Sequence, residues 1–213
     1  MTLRQPSTTA VPDCRNLEAV RIVLLRHGET EWSRTRRHTG RTDLPLTDVG
    51  EAEARAVAGA LGQRRFGQVL SSPLQRAADT ARLAGLHPEL VDDLREWDYG
   101  DYEGRTTADI RRDHPGWTIW DGPVPGGESS ADVTARVDRV VARLREADGN
   151  VVIFSHGHLL RALTARWLGL PVGAGRSFVL ETGTLSELGY ERETPVIWRW
   201  NAPPAPSPPT PPE

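Results

Sequence analysis

Two short runs far apart in the chain, Val20 to Leu25 and Asn150 to Phe154, carry apolar side chains without polar alternation. A strand apolar on both faces must be covered on both faces, and a parallel sheet with helices on either side provides that cover. Gln68 to Ser71, with Val69 and Leu70 at its centre, is a third run of this kind. Between the runs the period becomes helical, over Thr47 to Leu61, Leu74 to Ala84, Glu128 to Ala147 and His158 to Leu168. In the third of these segments Val133, Val137, Val140, Val141 and Leu144 fall on one face. For the second, Ser72 is the expected N-cap and Pro73 the expected first helical residue. The last part reads as β structure, over Ser177 to Glu181, Thr184 to Tyr190 and Pro195 to Trp200. This alternation predicts an α/β fold, a three-layer α/β/α sandwich around a mostly parallel central sheet. The expected domain spans 18–201, about 185 residues, enough to bury roughly 70% of its unfolded surface. Residues 1–17 read as a flexible tail. Residues 202–213 read as a proline-rich disordered one, since seven of the 17 prolines lie beyond residue 202.

The first and last apolar runs end alike, as Arg26-His27-Gly28 and Ser155-His156-Gly157. In an open parallel sheet, ligands bind beyond the carboxyl ends of the strands. Two parallel strands that are neighbours would therefore bring His27 and His156 together at that edge. Ser71-Ser72-Pro73-Leu74-Gln75-Arg76 leaves a third strand and opens a helix, so free N–H groups and Arg76 face the same edge. Arg26 and Arg76 together make a fork suited to phosphate. An acid is expected in the segment from Glu96 to Gly104, where Glu96, Asp98, Asp101 and Glu103 stand among Trp97, Tyr99 and Tyr102. Composition does not choose among the four. Trp97, Trp117 and Trp120 either roof the site or pack a loop onto the core, and Tyr99 is within reach of a substrate.

All 26 basic residues are arginine, which excludes Schiff-base and pyridoxal-phosphate chemistry and Walker A loops, because each needs a lysine. A net charge of −3 gives no reason to expect nucleic acid or a membrane as partner. The single cysteine, Cys14, excludes an internal disulfide and suits a reducing compartment. No apolar run approaches the roughly 20 residues that span a bilayer. Pro6, Pro12 and Asp13 make a poor signal peptide. A cytoplasmic protein is expected.

Arg26-His27-Gly28-Glu29-Thr30 resembles the signature of the histidine phosphatase superfamily, the phosphoglycerate-mutase-like fold. The resemblance continues, in the family's order, through His38 to Thr47, Ser71 to Ala77, Glu96 to Gly104, Gly126 to Ser129 and Ser155 to His158. The Glu96 and Gly126 blocks look most like small-molecule phosphatases, including bacterial acid phosphatases and sedoheptulose-bisphosphatase-type enzymes. The resemblance implies that His27 is the nucleophile and carries a phosphohistidine, that Arg26, Arg76 and His156 hold the phosphoryl oxygens, and that Glu96 is the proton donor. It further implies a phosphate pocket completed by Ser33, Thr39 and the N–H groups of Gly40 and Gly157, with Trp97 and Tyr99 toward the substrate. No metal and no cofactor are implied. The expected partner is a small phosphate ester such as a sugar phosphate, with dimerisation as the default assembly.

The chain departs from the family in two places. Ser33 stands where many relatives have asparagine, and Thr107 stands where the cofactor-dependent mutases have a lysine. The arginine-rich insert of those mutases is also missing, although Arg111 and Arg112 mimic part of it. Hydrolysis is therefore preferred over phosphoglycerate mutase chemistry. The alternative from another class, a non-catalytic binding protein docking through the proline-rich tail, conflicts with the intact set Arg26, His27, Arg76, Glu96 and His156.

Overall fold

The structure, a computed structural model, describes residues 20–62 and 64–204. Cys14 and nearly all of both expected tails lie outside the described residues. Strands β1 (Ile22–Arg26), β2 (Gln68–Ser71), β3 (Glu89–Leu90), β4 (Val151–Ser155), β5 (Leu185–Glu191) and β6 (Thr194–Ala202) form one sheet in the order β3-β2-β4-β1-β5-β6. β1, β2, β3 and β4 run parallel, and β5 and β6 add an antiparallel edge.

Alternate residues of the central strands feed two separate cores. Ile22, Leu24, Val151 and Ile153 face one, and Val23, Leu25, Val152 and Phe154 face the other. Helices α2 (Asp48–Leu61) and α3 (Gln75–Leu83) cover the second face, through Val57, Leu61 and Ala81. Helices α5 (Ser130–Arg145) and α6 (Gly157–Trp167) cover the first, α5 through the five apolar residues that its periodicity marks. The three-layer sandwich follows from this double burial. Two short helices, α1 (Glu31–Arg34) and α4 (Thr107–Asp113), have no long apolar stripe to betray them in the sequence. Each is fixed by a capping box, Thr30 with Ser33 and Thr106 with Asp109.

Two local expectations fail for identifiable reasons. Ser72 does not cap α3. Its Oγ accepts the Leu74 N–H at 3.2 Å in a tight serine turn, and Leu74 stays extended, so the helix starts after Pro73 has passed. The N–H of Gln75 goes instead to Asp43 Oδ1 at 2.8 Å, a cap supplied from a distant loop. The segment 177–181 is not a strand. A 3₁₀ stretch occupies Val172–Ser177, and the loop beyond it crosses the carboxyl end of β1, where the Leu180 carbonyl accepts Arg26 Nη1 at 2.5 Å.

The chain leaving β1 lies directly on the start of α2, and two glycines make the approach possible. A Cβ on Gly28 would sit 2.2 Å from the Gly50 carbonyl oxygen, and one on Gly50 would sit 2.1 Å from that of Glu29. Both obstacles are backbone and cannot rotate away. Gly50→Ala is therefore expected to lower the unfolding free energy by about 1–3 kcal/mol, measured by urea denaturation. An unchanged midpoint would show that the contact is looser than this packing requires.

Candidate active site

β1 and β4 are hydrogen-bonded neighbours in register Arg26↔Ser155, and the His27 N–H continues the ladder to the Ser155 carbonyl at 2.9 Å. The imidazoles that follow the two strands stand 5.2 Å apart between ring centroids. Hydrogen bonding fixes their tautomers. His27 Nδ1 lies 2.7 Å from the Gly28 carbonyl, which only accepts, so Nδ1 carries the proton and Nε2 keeps its lone pair. Arg76 Nε donates to His156 Nδ1 at 3.2 Å, so the His156 proton sits on Nε2. Burial, then the charges of Arg76 and Arg26, holds His27 well below its ordinary pKa. Burial and Arg76 do the same for His156. Both rings are neutral over the physiological range.

His156 Nε2 and Arg26 Nε are buried and have no hydrogen-bond partner among the described residues. Buried donors rarely stay unpaired, so two beside an imidazole lone pair mark a place for an anion. Arg26 and His27 line a cavity of about 490 Å³ together with Glu96, Gly157 and His158. Glu96 lies behind the start of α6, and its carboxylate accepts the N–H groups of His158 at 3.0 Å, Leu159 at 2.9 Å and Trp97 at 2.9 Å. Of the four carboxylates in the segment, Glu96 is the one that lines this cavity. Asp98 pairs with Arg41 at 2.7 Å, Asp101 is exposed, and Glu103 Oε1 holds the N–H groups of Gly40 and Thr42.

Arg76 is fully buried and binds around the turn at residues 39–42. Nη2 donates to the carbonyls of Thr39 and Gly40, and Nη1 to that of Thr42. Its guanidinium thus organises both His156 and the loop beside it.

The family model for the histidine phosphatase superfamily (branch 1) matches residues 22–203. The chain belongs to the histidine phosphatase superfamily. An acid phosphatase of Mycobacterium tuberculosis is 44% identical over 80% of this chain and 87% of its own. A sedoheptulose 1,7-bisphosphatase of Saccharomyces cerevisiae is 33% identical over 71% of this chain and 69% of its own. The solved structure of the open reading frame Rv3214 from Mycobacterium tuberculosis superposes with a TM-score of 0.83 at 40% identity, covering 87% of this chain and 98% of that one.

In this histidine phosphatase several expected contacts take other forms. Ser33 and Thr39 line the cavity. The Ser33 hydroxyl, however, closes the capping box of α1, accepting from the Thr30 N–H and donating to the Thr30 carbonyl. Thr39 Oγ1 donates to the Arg37 carbonyl. Gly40 is buried with its N–H on Glu103, so it offers no donor to the cavity. Trp97 does not face substrate. It is wholly buried, its indole N–H donates to the Glu128 carbonyl at 2.9 Å, and it packs edge-on against Trp120. Tyr99 does line the cavity and is 2.6 Å from His158 Nδ1. Burial, then Glu96, raises its phenol well above the usual range.

Arg161, one helical turn after His158, reads from the sequence as a salt-bridge partner rather than a substrate ligand, but it lines the cavity. It makes no salt bridge among the described residues. Its guanidinium is held by the carbonyls of Gly175 and Arg176 and lies 4.9 Å from the Trp120 ring centroid. Among the described residues no group of three or more His, Cys, Asp or Glu is placed to hold a metal ion. No helix among them is long and apolar enough to cross a membrane.

His38 stands behind Tyr99, 4.6 Å between ring centroids, with Nε2 3.1 Å from Thr107 Oγ1. Burial lowers its pKa from 6.5 to about 4. The unfolded chain therefore takes up this proton first as pH falls. Stability contributed by neutral His38 is full above the unfolded value and is lost as pH drops from about 6.5 toward about 4, by on the order of 3 kcal/mol. Urea midpoints at about pH 7 and about pH 4.5 are expected to differ less in His38→Gln than in the wild type. Equal pH dependence in both would refute the linkage.

Proposed function

We propose that this histidine phosphatase hydrolyses a small phosphomonoester through a phosphohistidine on His27. The observation that carries the reading is the pair of unpartnered buried donors, Arg26 Nε and His156 Nε2, set beside a neutral imidazole whose Nε2 is free. In the first step His27 Nε2 attacks phosphorus, the P–N bond forms, and the ester P–O bond breaks opposite it. Arg26 and His156 donate to the phosphoryl oxygens as charge shifts onto them, in a site already organised by Arg76. Glu96 gives its proton to the leaving alkoxide. In the second step a water attacks phosphorus, Glu96 takes a proton from it, and the P–N bond breaks to return neutral His27 and inorganic phosphate.

Thr107 supports hydrolysis over mutase chemistry, since the position lines the cavity and its hydroxyl is bonded to His38. A substrate with a second anionic group suits the cavity, which Arg161, Arg36 and Arg37 also line. The yeast relative's own name is that of a bisphosphatase. The protein works in the cytoplasm on this reading, which its single cysteine suits.

Rapid acid-free quenching with a ³²P-labelled ester is expected to leave an acid-labile, base-stable label on wild-type protein and none on His27→Ala, which also loses phosphatase activity. A label that persists in His27→Ala would overturn the assignment. Arg161→Ala is expected to lower kcat/KM about 10- to 100-fold for 3-phosphoglycerate or a sugar bisphosphate. For p-nitrophenyl phosphate, which has no second anion, the expected loss is under about threefold. Equal losses on all three substrates would remove the second-anion reading.

A further inference from the structure

Glu96 sits in a stretch without regular structure, between a 3₁₀ turn at Asp92–Leu94 and another at Gly100–Tyr102. Backbone groups outside helices and ladders must find partners elsewhere if they are buried. Here they find two residues of the neighbouring layer. Arg136, on α5, is 8% exposed and has every one of its five N–H donors occupied. Nη1 donates to the carbonyls of Asp93 at 3.0 Å and Arg95 at 2.7 Å, and Nη2 to that of Glu96 at 3.2 Å. The remaining two donors, on Nε and Nη2, meet the two oxygens of Glu128 at 2.7 and 2.8 Å. Glu128 completes the clamp. Its Oε2 also accepts the Asp98 N–H at 2.9 Å, its own N–H donates to the Asp98 carbonyl at 3.0 Å, and its carbonyl accepts the Trp97 indole N–H.

The backbone of 93–98 is thus stitched to Arg136 and Glu128 on one side, while the Glu96 carboxylate is held by the N-terminus of α6 on the other. Neither Arg136 nor Glu128 lines the cavity that contains His27. Both line a smaller one, about 130 Å³, on the other side of Glu96.

We propose that Arg136, charge-balanced and oriented by Glu128, is a positioning residue that sets the Glu96 carboxylate at the distance and angle that proton delivery to the leaving group requires. The inference rests on the reading of Glu96 as proton donor, and the test separates the two. A planar guanidinium is needed for it, because five donors in one plane reach three carbonyls, of Asp93, Arg95 and Glu96, and a carboxylate at once. A lysine ammonium has three donors on a single atom.

The test compares kcat/KM for two esters, since this ratio reports the first phosphoryl transfer and not the later hydrolysis of the phosphoenzyme. p-Nitrophenolate leaves without a proton, whereas the alkoxide of glycerol 3-phosphate needs one. Glu96→Gln is expected to lose much more activity on glycerol 3-phosphate than on p-nitrophenyl phosphate, by about 100-fold or more. Arg136→Lys is expected to show the same split at smaller size, with about a tenfold loss on glycerol 3-phosphate and under about threefold on p-nitrophenyl phosphate. Glu128→Gln is expected to follow Arg136→Lys, and serves if that variant does not fold, with thermal melts showing which variants are folded. A folded Arg136→Lys or Glu128→Gln that loses both activities equally, or neither, overturns the positioning role while Glu96→Gln still shows the split. Absence of the split in Glu96→Gln itself overturns the reading on which the proposal rests.

Discussion

The parallel pairing of β1 with β4 is the constraint on which the rest of the molecule depends. It sets Arg26 opposite Ser155 and brings the two histidines beyond the strand ends to 5.2 Å. That pairing needs both strands in the middle of the sheet, which in turn requires apolar residues on both faces and helices over each. The site is therefore a by-product of the core's own requirement for double cover. Ser155, the last residue of β4, adds to the fixity by donating to the Leu94 carbonyl at 2.7 Å, which ties the strand end to the chain that carries Glu96.

Burial then decides the electrostatics. Desolvation depresses Arg26 and Arg76, yet guanidinium ionises so readily that both remain cationic, and Glu96 works in the opposite direction. The same burial, with two fixed positive charges nearby, keeps His27 and His156 neutral. The result is a cationic donor set around an uncharged imidazole, which compensates a dianion for the hydration it gives up on entering. Were His27 protonated, it would bind phosphate as an ion and could not attack it. The positive neighbours therefore serve the chemistry twice, by attracting the anion and by withholding the proton.

The sequence carries the strands, the four long helices and the meeting of His27 with His156 at one sheet edge, because apolar periodicity and motif order are local properties of the chain. It does not carry partners that come from elsewhere. Asp43 caps α3 from a loop 32 residues away, which no pattern around Ser72 and Pro73 indicates. Segment 177–181 has strand composition, but the Leu180 carbonyl meets Arg26 rather than a neighbouring strand. Trp97 stands in a site motif and belongs to the core, since an indole can satisfy its N–H on a buried carbonyl and fill volume at once. Ser33 uses its hydroxyl to cap its own short helix, and Gly40 gives its N–H to Glu103. Their residue types suit phosphate binding equally well, so the sequence does not separate the two uses.

Two irregular segments flank the site, residues 39–42 and 93–98, and each is gripped through its carbonyls by one buried arginine. Arg76 takes the first from α3, and Arg136 takes the second from α5. These helices lie on opposite faces of the sheet. The active site is thus suspended between the two helical layers, and its geometry depends on their positions relative to one central strand pair. A chain without lysine suits this arrangement. Gripping several carbonyls that point in different directions calls for a flat cation with donors along three edges, and only arginine provides one. On the proposed mechanism, Arg76 and Arg136, which hold the backbone, are as necessary to the precision of the site as Arg26, which would meet the phosphoryl group.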